Sequence, residues 1–383
     1  MKSITFFTHN LYAMGGTVKS ISQLANILAE KGHQVEIISV FKGASKPYFK
    51  LHKSIKVRAL TDYQLQFFNI KDIFFNRIHK YTSFSKPKLI SQYEPGLYQF
   101  SHYIEKKMIK AIRNVSTDIL IGTRASFNIL IAHYGPQNVE KIGMEHMNFE
   151  AHNIALQREI ADAYQYLDKV TTLTESDKSK YEAFIQTPVY VIPNILNEPR
   201  LSVSKDKIIT AAGRLEYEKG FDLLIQSIIP IQQEVRRFKY QIHIYGDGKE
   251  HELLQQLIIE HQLADIIKLY GSTQQLNEKL AKSDITVIPS RNEGFGMVIL
   301  EAMNQSNVVV SFNGNAGPDA LIQNNVNGYL VAHGNVEDLS NKLLRLINQE
   351  FNKQAIIENG YQTVQSFSSD SVYHYFQMMI ASK

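Results

Sequence analysis

At 383 residues the chain is long enough for two or three domains with sizeable cores. It is 44% hydrophobic and 20% charged, ordinary for a globular protein, and its lack of cysteine excludes disulfides, cysteine-ligated zinc and thiol chemistry. The net charge of +4 divides unevenly: residues 1–200 hold 25 Lys+Arg against 17 Asp+Glu, or +8, which leaves 16 against 20, or −4, for the remainder. The excess sits between Lys42 and Arg113, with 15 basic and 4 acidic residues, so the two halves are expected to meet different partners. The first ten residues turn polar too soon for a signal peptide, and no run approaches the ~20 apolar residues of a membrane span. The expectation is a soluble, cytoplasmic protein, at most held at the inner face of a membrane.

The chain begins with a buried-strand run at Ile4, then the loop Thr8-His9-Asn10 to Gly15-Gly16. Thr17 is placed to cap a helix whose apolar positions Val18, Ile21, Ala25 and Leu28 keep helical spacing, and Gly32 ends it. A second strand, Val35 to Val40, completes a βαβ unit. Further strands are read at 55–60, 118–122, 141–145, 169–173 and 189–192, alternating with helices such as Glu175 to Phe184. Pro193 to Pro199 reads as a linker, after which the pattern restarts. Strands follow at 207–212, 241–245, 266–270, 284–288, 307–312 and 329–331, with a helix from Phe221 to Gln233 among those between them. This predicts two doubly wound α/β domains, 1–196 and 197–367. A last helix, within 368–383 and with Val372, Tyr375, Phe376 and Met379 on one face, should return to the first domain. Ligands of open parallel sheets bind beyond the carboxyl ends of the strands, which places the expected site in a cleft between the two domains.

The candidate residues cluster in four strand-to-helix turns of the second half. Gly213-Arg214 to Lys219-Gly220 offers a guanidinium and an ammonium on a loop pinned by glycine, a diphosphate clamp or two solvated cations. Gly246-Asp-Gly248 and Tyr270-Gly271 are weaker turns; backbone near Lys268 to Gly271 could frame a nucleobase, with Tyr270 read rather as core filling. Glu293-Gly-Phe295-Gly296 leads into a helix at Met297-Val298, whose N–H groups face an anion site, with Glu301 eight residues beyond Glu293.

In their order along the chain, Gly213-Arg214, Lys219-Gly220, Gly246-Asp-Gly248, Pro289-Ser290 and Glu293-Gly-Phe-Gly to Glu301 resemble glycosyltransferase family 4. Gly15-Gly16-Thr17, Glu145-His146, Leu173 to Ser176 and Ile192-Pro-Asn194 extend that likeness to the first half. The departure is Gln305-Ser306-Asn307-Val308, where the family usually has glycine and proline. The resemblance implies the GT-B architecture, two Rossmann-like domains facing across a cleft, and a retaining transferase that uses a nucleotide sugar. It implies that Arg214 and Lys219 neutralise the diphosphate with the amides of Met297 and Val298. Glu293 and His146 would contact the donor sugar and Glu301 the ribose, while Gly15 and Gly16 approach the phosphates. Gly213, Gly248, Tyr270, Gly271, Phe295 and Gly296 would complete the donor pocket.

His9 is also where inverting enzymes of this architecture often carry a base, so inversion competes with a same-face substitution in which the leaving phosphate takes the acceptor proton. In the latter, His9 and Asn10 become acceptor contacts. With no Asp-x-Asp pair and two cations on the loop, neither a metal nor another cofactor is expected. Thr174-Glu-Ser-Asp and Gly-Gly-Thr resemble bacterial members that act on teichoic acids and other wall polymers. The expected donor is UDP-glucose or UDP-N-acetylglucosamine. The expected acceptor is an anionic polymer or a lipid-linked glycan, and nucleic acid is not expected. The aromatic, basic run 66–80 is read as an amphipathic helix for an anionic membrane or for the acceptor, or as one packed on the sheet. Rival classes are a nucleotide-sugar epimerase and a binding protein without activity.

Overall fold

A computed structural model describes residues 1–64, 86–349 and 353–382 of the chain. The run 66–80 lies outside the described residues. The chain forms two compact units, Met1–Ile195 with Val372–Lys383, and Leu196–Ser371.

Unit 1 carries seven strands, β1 (Ser3–Thr8), β2 (Gln34–Lys42), β3 (Lys56–Asp62), β4 (Ile119–Gly122), β5 (Glu140–Met144), β6 (Lys169–Thr172) and β7 (Val189–Val191). Their spatial order is β3-β2-β1-β4-β5-β6-β7, and every pairing is parallel. Unit 2 repeats the plan with β8 (Ile208–Ala212), β9 (Gln241–Tyr245), β10 (Ile267–Leu269), β11 (Ile285–Ile288), β12 (Val308–Phe312) and β13 (Tyr329–Val331). Their order is β10-β9-β8-β11-β12-β13, again all parallel. Strands covered on both faces are largely apolar, which is why β4, Ile-Leu-Ile-Gly, and β11, Ile-Thr-Val-Ile, are fully buried. In each unit the strand order reverses beside the first strand, between β1 and β4 and between β8 and β11. The loops leaving those strands at their carboxyl ends therefore border a crevice within the unit.

Four local expectations need correction. Thr17 is not a cap: the first helix spans Gly16–Glu30, and extended Gly15 precedes it without a side-chain cap bond. The helix read as Phe221 to Gln233 breaks into Phe221–Ile228, a 3-10 turn Ile229–Ile231 and Gln232–Arg237. Pro230, lacking an N–H, sits at the break. The last helix, Ser369–Ala381, buries Val372, Phe376 and Met379 in the unit 1 core beside Ile21, Leu24 and Ile195. Tyr375 stays 40% exposed, because three residues from Val372 it falls at the edge of the stripe. Lys169 fastens this helix, its Nζ donating to the carbonyls of Met379 at 2.8 Å and Ser382 at 2.7 Å and to Glu140 at 2.7 Å.

The fourth concerns the turn at 305–307, which lacks the glycine the family usually has. Ser306 adopts φ +64°, the left-handed conformation glycine would supply. Its neighbours close the helix end: Ser306 N–H donates to Met303 at 3.0 Å and Asn307 N–H to Ala302 at 3.0 Å. The Ser306 hydroxyl accepts from Arg200 Nη2 at 2.7 Å, so the turn is retained with serine in glycine's place.

Candidate active site

In unit 2 the loops after β8, β9 and β10 are laced together by backbone. Gly213 N–H donates to Tyr245 O at 3.0 Å, Leu215 N–H to Asp247 O at 2.9 Å and Gly246 N–H to Gly271 O at 2.9 Å. The approach is close enough that a Cβ on Gly246 would lie 1.7 Å from the Gly213 carbonyl oxygen, and one on Gly220 would lie 2.0 Å from that of Pro289. Gly220 has φ +64° and so turns the chain into the helix Phe221–Ile228 while touching the loop that carries Glu293.

Those two loops share their principal charges. Lys219 Nζ stands 2.6 Å from Glu293 Oε2, with side chains only 19% and 15% exposed. The Ser290 hydroxyl donates to the same carboxylate oxygen at 3.1 Å. Buried Asn315 fixes the backbone below: its Oδ1 accepts from Glu293 N–H at 3.1 Å, and its Nδ2 donates to Ser290 O at 3.1 Å. Beyond the turn, left-handed Gly296 precedes the helix Met297–Asn304, whose start no side chain caps. A cation, a carboxylate and a helix end with free first-turn amides can together hold an anion on one side and hydroxyls on the other. Glu301 and Phe295 lie buried on and before this helix, and Phe295 meets Phe367 edge-on with centroids 5.9 Å apart.

Arg214 stands apart from this pair: 72% exposed, it reaches Glu218 at 3.2 Å. Such an exposed i,i+4 pair holds it weakly and leaves it able to reorient. Tyr270 is not core filling. It is 49% exposed and stacks on Tyr245, with centroids 5.2 Å apart and planes at 18°. The ring stays out because Gly271 at φ +73° turns the chain immediately beyond the edge strand β10. Gly248 is packed against Leu215, and Met297 and Val298 are half-buried.

Arg291 escaped the sequence reading. Its guanidinium pairs bidentately with Asp222 at 2.8 and 2.6 Å, donates to Tyr217 O at 2.8 Å and lies 4.0 Å from the Tyr217 ring centroid. The N–H groups of Arg291 and Asn292 also donate to Glu218 O, at 2.8 and 3.1 Å. This strut joins the Lys219 loop to the Glu293 loop. The only sequence signal was an arginine directly after the Pro289-Ser290 strand end.

In unit 1, Gly15 is half-buried and Gly16 exposed, with no atom within 4 Å of a Cβ built on Gly16. Asn10 Oδ1 accepts from Tyr12 N–H at 3.0 Å. His9, just past β1, is wedged against Phe41, Phe100 and Phe127 with its Nε2 buried and unpaired. Burial, then the Arg124 charge, lower its pKa to about 4. His146 follows β5; its Nε2 is likewise buried and unpaired, and burial lowers its pKa to about 4 against the pull of Glu145. The Glu145 carboxylate lies beneath it in a closed network, taking bonds from Tyr164 and from Asn128 at 2.8 Å, with His152 at 3.6 Å. Burial opposes that charge, and these partners still hold its pKa below the ordinary carboxylate value.

A histidine whose folded pKa is about 4 binds fewer protons than its unfolded counterpart near 6.5. The stability that His9 and His146 lend is therefore complete above pH ~6.5 and is lost as the pH falls toward 4. Melting temperature should drop across that window, and His146→Gln should drop less steeply; equal slopes would contradict the assignment.

Residues 193–363 match the family Glycosyl transferases group 1. An uncharacterized glycosyltransferase of Haemophilus influenzae is 27% identical over 91% of this chain and 91% of its own length. The poly(ribitol-phosphate) alpha-N-acetylglucosaminyltransferase of Staphylococcus aureus is 28% identical over 56% of this chain and 45% of its own. The crystal structure of TarM is similar with a TM-score of 0.78 at 16% identity, covering 100% of this chain and 99% of that one. That last likeness fixes the fold as GT-B, two Rossmann-like units with parallel sheets. With its second unit matching that family and a glycosyltransferase relative along most of its length, the chain is an enzyme, a glycosyltransferase.

Proposed function

We propose that the protein is a retaining hexosyltransferase. It moves glucose or N-acetylglucosamine from a UDP-sugar to an anionic cell-surface polymer of the teichoic-acid kind or to its lipid-linked precursor, in the cytoplasm at the membrane's inner face. The observation that carries this reading is the Lys219–Glu293 pair at 2.6 Å, set before an uncapped helix start. Lys219 and the reorienting Arg214 offset the diphosphate charge, most strongly as it grows on the leaving oxygen. Glu293 holds sugar hydroxyls, Glu301 the ribose, and Tyr270 offers a flat face to the base. From unit 1, His146 contributes to sugar binding and Gly15 and Gly16 to the phosphates. The resemblance of the chain to the poly(ribitol-phosphate) transferase supports the acceptor class.

In the same-face route the anomeric carbon–phosphate oxygen bond breaks as the acceptor oxygen bonds to that carbon. The acceptor proton passes to the departing phosphate oxygen. The competing inverting route needs a base, for which His9 is the candidate; the likeness of the second-unit motifs to retaining enzymes favours the same-face route. The test is nucleotide release from a panel of UDP-, GDP- and ADP-sugars with polymer and lipid acceptors, with the product's anomeric configuration read by NMR. Retention of configuration is expected. An inverted product would overturn the mechanism, and sugar interconversion without acceptor would favour an epimerase.

Because Arg214 and Lys219 supply the positive charge, EDTA is expected to leave the rate unchanged. A rate restored only by added Mg²⁺ or Mn²⁺ would contradict this assignment of charge.

A further inference from the structure

Unit 1 has a groove of ≈ 480 Å³ along the outer face of the helix His102–Arg113. We propose that this groove is an exosite for the distal repeats of an anionic polymer acceptor. The inference rests on the proposed function and adds where the polymer lies beyond its reacting end.

Three cations line the groove at helical spacing, Lys106, Lys110 and Arg113, and all are exposed. Positions four and seven residues on fall on one stripe, so the charges follow one another at about one-turn intervals. Cations in the last turn commonly serve the helix dipole, which accounts for Lys110 and Arg113 but not for Lys106 in the second turn. Neither Lys106 nor Lys110 has an ion-pair partner among the described residues. Arg113 lies 5.1 Å from the Tyr134 ring centroid, which sets a flat apolar surface beside the charge.

The one acid in the groove has both carboxylate oxygens engaged within the unit. Glu105 is fully buried, and its Oε1 accepts the N–H groups of Lys88 at 2.8 Å, Leu89 at 2.5 Å and Ile90 at 2.9 Å. Its Oε2 faces His102 Nδ1 at 2.9 Å. The carboxylate thus anchors the wall of the groove and, being fully buried, has no surface for a ligand to touch. What remains open is cationic with apolar patches, including Leu89, which is 44% exposed. A flexible chain with an anion on each repeat and an uncharged backbone between them matches that surface.

The direction of the helix gives the exosite its use. Phe100, two residues before the helix, packs 5.5 Å from the His9 ring beyond β1, so the helix starts at the carboxyl edge of the sheet. Its twelve residues run about 18 Å toward the opposite edge. A polymer whose end lies near the His9 loop would trail along Lys106, Lys110 and Arg113, and acceptor affinity would rise with chain length.

The experiment compares the full chain with its Lys106→Ala/Lys110→Ala/Arg113→Ala variant. The acceptors are polyol-phosphate chains of increasing length, a carboxylated polysaccharide and neutral dextran. In the wild type KM should fall with polyanion length, and the variant should lose this dependence, about tenfold for the longest chains. kcat on the shortest acceptor and donor hydrolysis without acceptor should be unchanged in the variant. Calorimetric titration with the polyanion, read without turnover, should show the same loss and a smaller salt dependence. An unaltered length dependence or equal binding of dextran would overturn the exosite. Failure to consume any nucleotide sugar would instead overturn the proposed function and leave the calorimetric result standing.

Discussion

Lys219→Ala is expected to lower kcat about 100-fold or more at saturating donor, and Glu293→Gln by a comparable factor. Their side chains lie 2.6 Å apart and are mostly shielded from solvent, so each sets the other's position and charge. When a donor enters, the ammonium is placed to exchange this carboxylate for a phosphate oxygen, and the carboxylate to exchange it for a sugar hydroxyl. Removing the lysine takes away charge stabilisation of the leaving group and leaves a shielded carboxylate with only the Ser290 hydroxyl. Removing the carboxylate's charge frees the ammonium but weakens its hold on the sugar. Because the two act as a unit, the double variant should cost little more than the worse single one. Steady-state rates for the three variants decide this, and near-normal turnover in both single variants would sink the assigned roles. Arg291→Ala acts differently: the side-chain part of its strut is lost, the two loops drift, and the Lys219–Glu293 geometry loosens without any loss of a donor contact.

How far the sequence foretold this arrangement depends on the range of the interactions. The strands were legible to within about two residues because a buried parallel strand must be apolar on both faces and must end at a turn. Lys219 and Glu293 were each legible, with their neighbouring glycines, because in each case strand, turn and helix start lie in one short run, although their pairing spans 74 residues. The helix break at Pro230 was written in the sequence as well, yet helical spacing on both sides of it masked the break. Arg291–Asp222 was not legible: the partners lie 69 residues apart and pair only once both loops have been laid on the same sheet edge. The exposure of Tyr270 depends on the turn at Gly271 rather than on its own apolar ring. The Glu145 network was hidden for another reason: Asn128, His152 and Tyr164 are near in sequence but come from separate elements, and they meet Glu145 only in the folded unit.

Gly246→Ala should destabilise unit 2 by about 3 kcal/mol or more, among the larger effects of a single methyl group. The added Cβ would sit 1.7 Å from the Gly213 oxygen, and the residue would be held at φ +148°. The neighbouring atom is backbone, tied in turn by the Gly213 N–H bond to Tyr245 O at 3.0 Å, so it cannot yield as the tip of a side chain would. Relief requires the β8 loop to move as a body, carrying Arg214 and Lys219 with it. Stability and turnover should therefore fall together. Gly271→Ala separates the two causes, because Gly271 has φ +73° but no atom within 4 Å of its built Cβ. That variant should lose only the left-handed backbone penalty, about 1–2 kcal/mol, and keep most of its activity. Urea midpoints for the unit 2 transition, with hydrogen exchange at the amides of Gly213 and Leu215, measure the difference. If the two variants melt alike, backbone conformation rather than close approach governs these turns, and the loops after β8 and β9 are held less rigidly than the lattice of bonds between them implies.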